Sequence, residues 1–180
     1  MRLWISDRPH ARGLDAHGHH LALAAAATLL MLAVCGVAVA AHPAAGSKYS
    51  GYTSAAKVNG FRAPVSFTVS GTGSKLLTFQ YGNVGCLAYP ITGNPFGTAS
   101  GFVEVGSILV SGDGSFSVSD AKHVNNSAGV KTVITSTVTG NFKTRKKATG
   151  KIAFVQKDTG PGGFNKRCGP IDLTFTATTK

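Results

Sequence analysis

The sequence predicts an all-β fold, an antiparallel β-sandwich of the jelly-roll or immunoglobulin-like kind with eight to ten short strands. Three observations support this prediction. Thr, Ser, Gly and Val, which favour strands and turns, dominate the chain after residue 57, where long stretches rich in Ala, Leu or Glu are absent. Apolar and polar residues alternate in several short runs. Turn sequences separate these runs at regular intervals.

The clearest local signal is a two-strand hairpin in the first half of the chain. Residues 64–70 and residues 75–81 each alternate apolar and polar side chains, and Gly-Thr-Gly-Ser at 71–74 predicts the turn between them. A first, edge-like strand is predicted before the hairpin, at residues 49–54. The side chains predicted to face the core are Val65, Phe67 and Val69 in one strand and Leu77, Phe79 and Tyr81 in the other.

Shorter strands and turns are predicted for the rest of the chain. An Asp-Gly step at 113–114 is a strong hairpin turn signal, and Gly140 is predicted to mark a bulge. Leu173, Phe175 and Ala177 are predicted to face the core. Strands are predicted at residues 86–89, 107–110, 115–119, 131–142, 150–156 and 172–178. The longest loops are predicted at residues 90–101, 121–129 and 158–169.

The strand pattern alone fits either a sandwich or a barrel, and two cysteines favour the sandwich. Cys86 and Cys168 lie in or beside predicted strands that are far apart in sequence. In an oxidising compartment such an isolated pair forms a disulfide. We therefore expect a Cys86–Cys168 bridge that connects one sheet to the other sheet or to a loop.

An uncharged apolar segment from Leu21 to Ala41 indicates export. Arginines precede it, and the small residues at its end suit a signal peptidase. The domain is therefore expected to be secreted or to lie at the extracellular, cell-envelope face. The predicted organisation is a signal peptide at residues 1–41, a linker at 42–48 and the β-sandwich domain at 49–180.

Two alternatives to cleavage stay open. The apolar segment is long enough to cross a bilayer of roughly 30 Å as an uncleaved signal-anchor, which would be the only membrane contact. Lipidation at Cys35 is the second alternative, although Val34 stands where Gly, Ala or Ser is usual. The upstream histidines are interpreted as part of a loosely constrained leader rather than a metal site; they are His10, His17, His19 and His20.

Several motifs carry a family resemblance. They are Val-Thr-Gly-Asn-Phe at 138–142, Ala-Thr-Gly-Lys-Ile at 148–152 and Cys-Gly-Pro at 168–170, together with the segments 49–51, 65–70, 75–79 and 174–177 and Cys86. The chain resembles small secreted β proteins of unknown function, common in actinobacteria and related high-GC bacteria, that contain a paired cysteine. It departs from them at Phe175, where a tryptophan is expected. The resemblance supports the fold and implies no activity.

The positive charge of the chain favours anionic partners. Its 18 Lys and Arg residues against 7 Asp and Glu give a net charge of +11, which attracts anions over a long range. A basic patch is predicted, with solvated turn residues that discourage edge-to-edge aggregation as the alternative interpretation. The patch contains Lys143, Arg145, Lys146, Lys147, Lys151, Lys166 and Arg167.

Three aromatic residues in glycine-rich loops are candidate ligand contacts, since aromatic rings can stack on sugars. Tyr89 and Phe96 belong to one loop and Phe164 to another. The alternative interpretation is that these rings cap the open ends of the core.

The sequence thus predicts a non-catalytic secreted or cell-envelope-associated binding protein. Acid–base catalysis needs groups of matched pKa in one place, and the exported part has few acids and histidines. No catalytic, metal or cofactor site is predicted. The expected partner is an anionic envelope polymer, a glycan or a protein, and no nucleic acid is expected. A structural or accessory protein that recognises another protein is the alternative, and an enzyme ranks third.

Overall fold

A single antiparallel sheet forms the part of the chain that a computed structural model describes, residues 41–82 and 101–179. These residues belong to one compact unit, Val39–Lys180. No helix within the two described ranges is long and apolar enough to cross a membrane. The strands are β1 (Lys48–Thr53), β2 (Pro64–Thr68), β3 (Lys75–Gly82), β4 (Phe102–Leu109), β5 (Ser115–Ser127), β6 (Val130–Thr144), β7 (Lys147–Thr159) and β8 (Asn165–Thr179).

The strands follow one another around the sheet in chain order, and the last strand returns to the first. Hydrogen-bonded neighbours run β4-β3-β2-β1-β8-β7-β6-β5, and all pairs are antiparallel. The bridge Val110–Phe116 joins the two outer strands, so the sheet is nearly closed and barrel-like. The predicted all-β antiparallel fold is confirmed. The predicted division into two sheets is not confirmed, because the strand pairing runs without interruption from β4 to β5.

The predicted hairpin of the first half is present, with two differences in detail. The alternating apolar residues of β2 are buried, as predicted. β1 lies between β2 and β8, so the prediction of an edge strand there is wrong. In β3 Phe79 and Tyr81 are buried as predicted, but at the start of the strand Leu76 is buried and Leu77 is 46% exposed. A register shift between Leu76 and Phe79 interrupts the alternation and turns Leu77 outward.

The strands of the second half are longer than predicted. β5 continues to Ser127 through most of the predicted loop at 121–129. β8 begins at Asn165, inside the predicted loop at 158–169. β6, β7 and β8 are each paired on both sides. Backbone hydrogen bonds to both neighbours therefore keep these segments in strands even where apolar and polar residues no longer alternate.

Buried aromatic rings fill one end of the sheet, called the aromatic end below. The rings of Tyr49 and Phe67 stack with centroids 5.0 Å apart, and Phe67 stacks on Phe79 at 5.7 Å. Because aromatic side chains bury large apolar areas, hydrophobic packing stabilises this end. Its rings are Tyr49, Phe67, Phe79, Phe116, Phe142 and Phe175.

Two glycines make room for these rings. Phe116, Gly140, Gly150 and Phe175 lie opposite one another across β5 to β8. A Cβ at Gly140 would lie 2.5 Å from the Phe116 ring, and one at Gly150 would lie 2.6 Å from the Phe175 ring. The pairing at Gly140 is regular, so the bulge predicted there is wrong. Because neither glycine has a side chain, the rings of Phe116 and Phe175 can lie over these two positions, where a larger residue would collide with them.

Pro43 and Ala44, in the segment 42–48 that was predicted as a linker, are held at the aromatic end. Pro43 is buried. The Tyr49 hydroxyl donates to the Arg145 carbonyl oxygen at 2.5 Å and accepts from the Ala44 N–H at 3.0 Å. The chain that leads into β1 is therefore held by the core and by the β6–β7 turn.

Candidate anion-binding site

The residues of the predicted basic patch lie in three separate places. Lys151 lies on the outer face of β7, and Lys166 and Arg167 lie near the start of β8. Arg167 lies opposite Lys157. Lys157 and Lys147 lie towards opposite ends of β7, roughly 30 Å apart. One continuous patch is therefore not formed. The remaining members surround the β6–β7 turn at the aromatic end and are called the basic turn: Lys143, Arg145, Lys146 and Lys147.

Lys166 and Arg167 face opposite sides of the sheet, because side chains alternate along a strand. Lys166 lies opposite the buried Asp158, and its ammonium group is 5.6 Å from the centre of the Phe164 ring. Arg167 lies opposite Lys157 on the outer face. Phe164, a predicted ligand contact, is half-buried and interacts with Lys166.

The other predicted ligand contacts, Tyr89 and Phe96, lie outside the described residues. Cys86 lies outside them as well. Cys168 is opposite Gln156 in the β7–β8 pair and is disulfide-bonded. Its pairing with Cys86 stays a prediction.

The structure brings Arg167 together with two cations that the sequence did not single out. Lys122 on β5, Lys157 on β7 and Arg167 on β8 line a concavity of about 660 Å³ on the outer face of the sheet. None of the described residues that line it is acidic. We call it the cationic pocket, and its other lining residues are Val133, Thr135, Val155 and Asn165.

Strand register explains this arrangement. Lys122 lies opposite Thr135 on β6, which lies opposite Val155 on β7. Two residues further along β7, and so on the same face, Lys157 lies opposite Arg167. Since neighbouring strands are about 4.8 Å apart, the three long side chains rise around a floor of valine and threonine.

The electrostatics of the cationic pocket favour an anion. Lys157 and Arg167 are like charges in directly opposite positions, which destabilises a strand pair. An oxyanion between them would attract both cations, and these two attractive interactions would outweigh the repulsion between Lys157 and Arg167. The guanidinium of Arg167 can donate two parallel hydrogen bonds to such a group, and the ammonium groups of Lys122 and Lys157 can add charge-assisted bonds.

A second concavity of about 370 Å³ continues the cationic pocket along the sheet. The two share Thr135, Val155 and Arg167, and the second also includes Asp120 and Pro170. A ligand longer than a single anionic group therefore has room beside Arg167.

Sequence reasoning missed Lys122 and Lys157 because it placed them outside strands. Lys122 belongs to the predicted loop at 121–129, and Lys157 follows the end of the strand predicted at 150–156. Extending both segments as strands would have put each lysine on the outer face. His123, the neighbour of Lys122, lies on β5 opposite Ile134 and therefore on the other face of the sheet.

The inner face of the sheet becomes polar away from the aromatic end, and this region is called the polar end. Asp158 is buried and accepts hydrogen bonds from the Thr132 hydroxyl at 2.7 Å and from Gln156 Nε2 at 2.9 and 3.1 Å. Tyr81 and Ser136 share a hydrogen bond of 2.8 Å between their hydroxyl groups. Burial raises the pKa of Tyr81 well above its ordinary value, and the bond to Ser136 lowers it by a smaller amount.

Comparisons with known proteins give no relative from which function could be transferred. No protein-family model, curated protein or solved structure is significantly similar to the chain. Among residues 41–82 and 101–179, no three His, Cys, Asp or Glu side chains are grouped so that they could hold a metal ion. The cationic pocket is thus the arrangement on which a functional inference can rest.

Proposed function

We propose that the protein is a non-catalytic binding protein of the extracellular or cell-envelope face that binds an anionic envelope polymer at the cationic pocket. The observation that carries this proposal is the meeting of three cations from three strands around a concavity without an acidic lining residue among those described. Unfavourable like-charge pairing at Lys157 and Arg167 is offset when an anion binds.

A polymer fits this surface better than a small isolated anion. The adjoining concavity extends the groove past Arg167 along the sheet, and because Asp120 lines it, this extension would hold an uncharged part of the polymer. The net charge of +11 would draw a polyanion towards the protein before the specific contacts form. Such attraction is screened by salt, so the binding should be strongest at low ionic strength.

A binding role also agrees with the spread of the carboxylates. Glu104 lies on β4, Asp113 in the β4–β5 turn and Asp172 on β8. Asp120 lies at the bulge of β5, and Asp158 faces the other side of the sheet. Acid–base catalysis by paired carboxylates requires two of them across one cleft, and this spread does not favour such a pair.

The test is binding of residues 39–180 to long-chain inorganic polyphosphate and to isolated cell-envelope fractions, at about 50 and 500 mM salt. The variant is Lys157→Glu with Arg167→Glu. Its matched control is Lys146→Glu with Lys147→Glu, which makes the same change of charge at the basic turn.

We expect the pocket variant to lose at least tenfold in affinity for polyphosphate and the control to stay within about threefold of the parent protein. Equal losses in both variants would show that net charge alone is responsible and would overturn the pocket. Failure of the parent protein to bind either probe at low salt would overturn the proposed function.

A further inference from the structure

The aromatic end carries a second group of cations, which the proposed function does not use. Lys48 is the first residue of β1. β1 pairs with β8 at Tyr49–Thr179, and β8 pairs with β7 at Thr178–Lys147. Lys48 and Lys147 are therefore on strands about 10 Å apart. Lys48 and the four side chains of the basic turn are all exposed, and together they are called the basic face.

One carboxylate lies at this end among the described residues, and it is already engaged. Asp113 in the β4–β5 turn accepts hydrogen bonds from the Ser115 hydroxyl at 2.6 Å and from the Ser115 N–H at 2.9 Å. Both bonds lower the pKa of Asp113, and the bond from the Ser115 hydroxyl has the larger effect. Asp113 thus interacts within its own turn, and the basic face has no acidic partner from the described strands.

The chain enters the folded unit at the same end. The Ala44 N–H donates to the carbonyl oxygen of Arg145 at 3.2 Å, so the entering segment is bound to the basic turn itself. The apolar run that begins at Leu21 ends at Ala41, a few residues before this bond. Little chain therefore separates the end of the apolar run from the basic face.

We propose that the basic face docks on the surface of an anionic lipid bilayer. Each cation held near such a surface strengthens binding about fivefold, and five are gathered here. They lie on turns and strand ends, which suits a flat surface, whereas the cationic pocket is concave. The adjoining apolar run also places this end of the fold beside a bilayer whenever that run is held in a membrane.

The experiment measures sedimentation of residues 39–180 with vesicles of phosphatidylglycerol and phosphatidylcholine in equal parts, and with vesicles of phosphatidylcholine alone. This unit lacks most of the apolar run, so insertion of that run cannot cause the binding. We expect binding to the anionic vesicles, and at least a tenfold loss in Lys146→Glu with Lys147→Glu. Lys157→Glu with Arg167→Glu, which changes the charge equally at the other end, should stay within about threefold of the parent protein.

Three results would overturn the docking surface: no binding to the anionic vesicles, equal binding to the neutral vesicles, or equal losses in the two variants. Urea unfolding of both variants checks that their folds are intact. The two variants exchange roles between this experiment and the polyphosphate experiment. A failure of the bilayer proposal is therefore distinguishable from a failure of the cationic pocket.

Discussion

The aromatic end and the polar end are built from the same long strands and are stabilised in different ways. At the aromatic end, Phe142 and Phe175 pack with other buried rings over a floor that contains Gly140 and Gly150. At the polar end, the buried side chain of Asp158 is held by hydrogen bonds instead. One strand can thus be fixed by apolar packing over half its length and by paired backbone and side-chain hydrogen bonds over the rest.

The largest expected effect is at the aromatic end. Phe67 contacts the rings of Tyr49, Phe79, Phe116 and Phe142. Truncation to alanine should lower the free energy of unfolding by about 3 to 5 kcal/mol, because it leaves a cavity among these rings.

Urea unfolding of Phe67→Ala measures this loss. Phe61→Ala is the control, since Phe61 is 42% exposed and should change stability by less than about 1 kcal/mol. Similar losses in the two variants would contradict the view that ring packing stabilises this end.

A smaller effect is expected from Gly150→Ala, which tests the glycine row. The added methyl group would meet the Phe175 ring and the Thr139 carbonyl oxygen. Overpacking of this kind should cost about 2 to 3 kcal/mol.

Gly71→Ala is the matched control, because a Cβ there meets nothing within 4 Å. It should leave the urea midpoint nearly unchanged or slightly raised. If Gly150→Ala is tolerated equally well, the rings do not require the glycine.

The smallest effect concerns pH and the buried Tyr81–Ser136 pair. Burial raises the pKa of Tyr81, so the folded state keeps the proton after the unfolded state begins to lose it near pH 10. This contribution to stability is complete below about pH 10 and is lost as the pH rises further. By about pH 11 the loss should reach roughly 1 kcal/mol.

Urea midpoints between pH 9 and pH 11 measure this loss. Tyr81→Phe removes the ionisable group, so its stability should fall less steeply over that interval than that of the parent protein. Identical slopes would exclude Tyr81 as a source of the alkaline destabilisation.

The fold was predictable where apolar alternation and turn chemistry agreed. The hairpin around residues 71–74 and the Asp-Gly turn at 113–114 are both present. The alternation failed in β3 because a bulge changed the face of Leu77. It also failed in the polar halves of β5 and β8, where pairing with neighbouring strands decides the conformation and leaves little trace in the local sequence.

The candidate site was predictable in part for the same reason. Arg167 was identified from charge alone, whereas Lys122 and Lys157 become neighbours of it only through register across four strands. Charge also grouped Lys166 with Arg167, although alternate residues of a strand face opposite sides. Composition identifies which charges exist, and register decides which of them meet.

The pairing of β1 with β8 has a consequence for how the fold is reached. A chain delivered with its N-terminus first, from a ribosome or through an export channel, presents β1 long before residues 165–179 emerge. Until then β1 has a partner on one side at most, and its other edge is open to any extended chain nearby. Closure of the sheet therefore waits for the last strand to emerge, so the pairing of β1 with β8 is expected to form late.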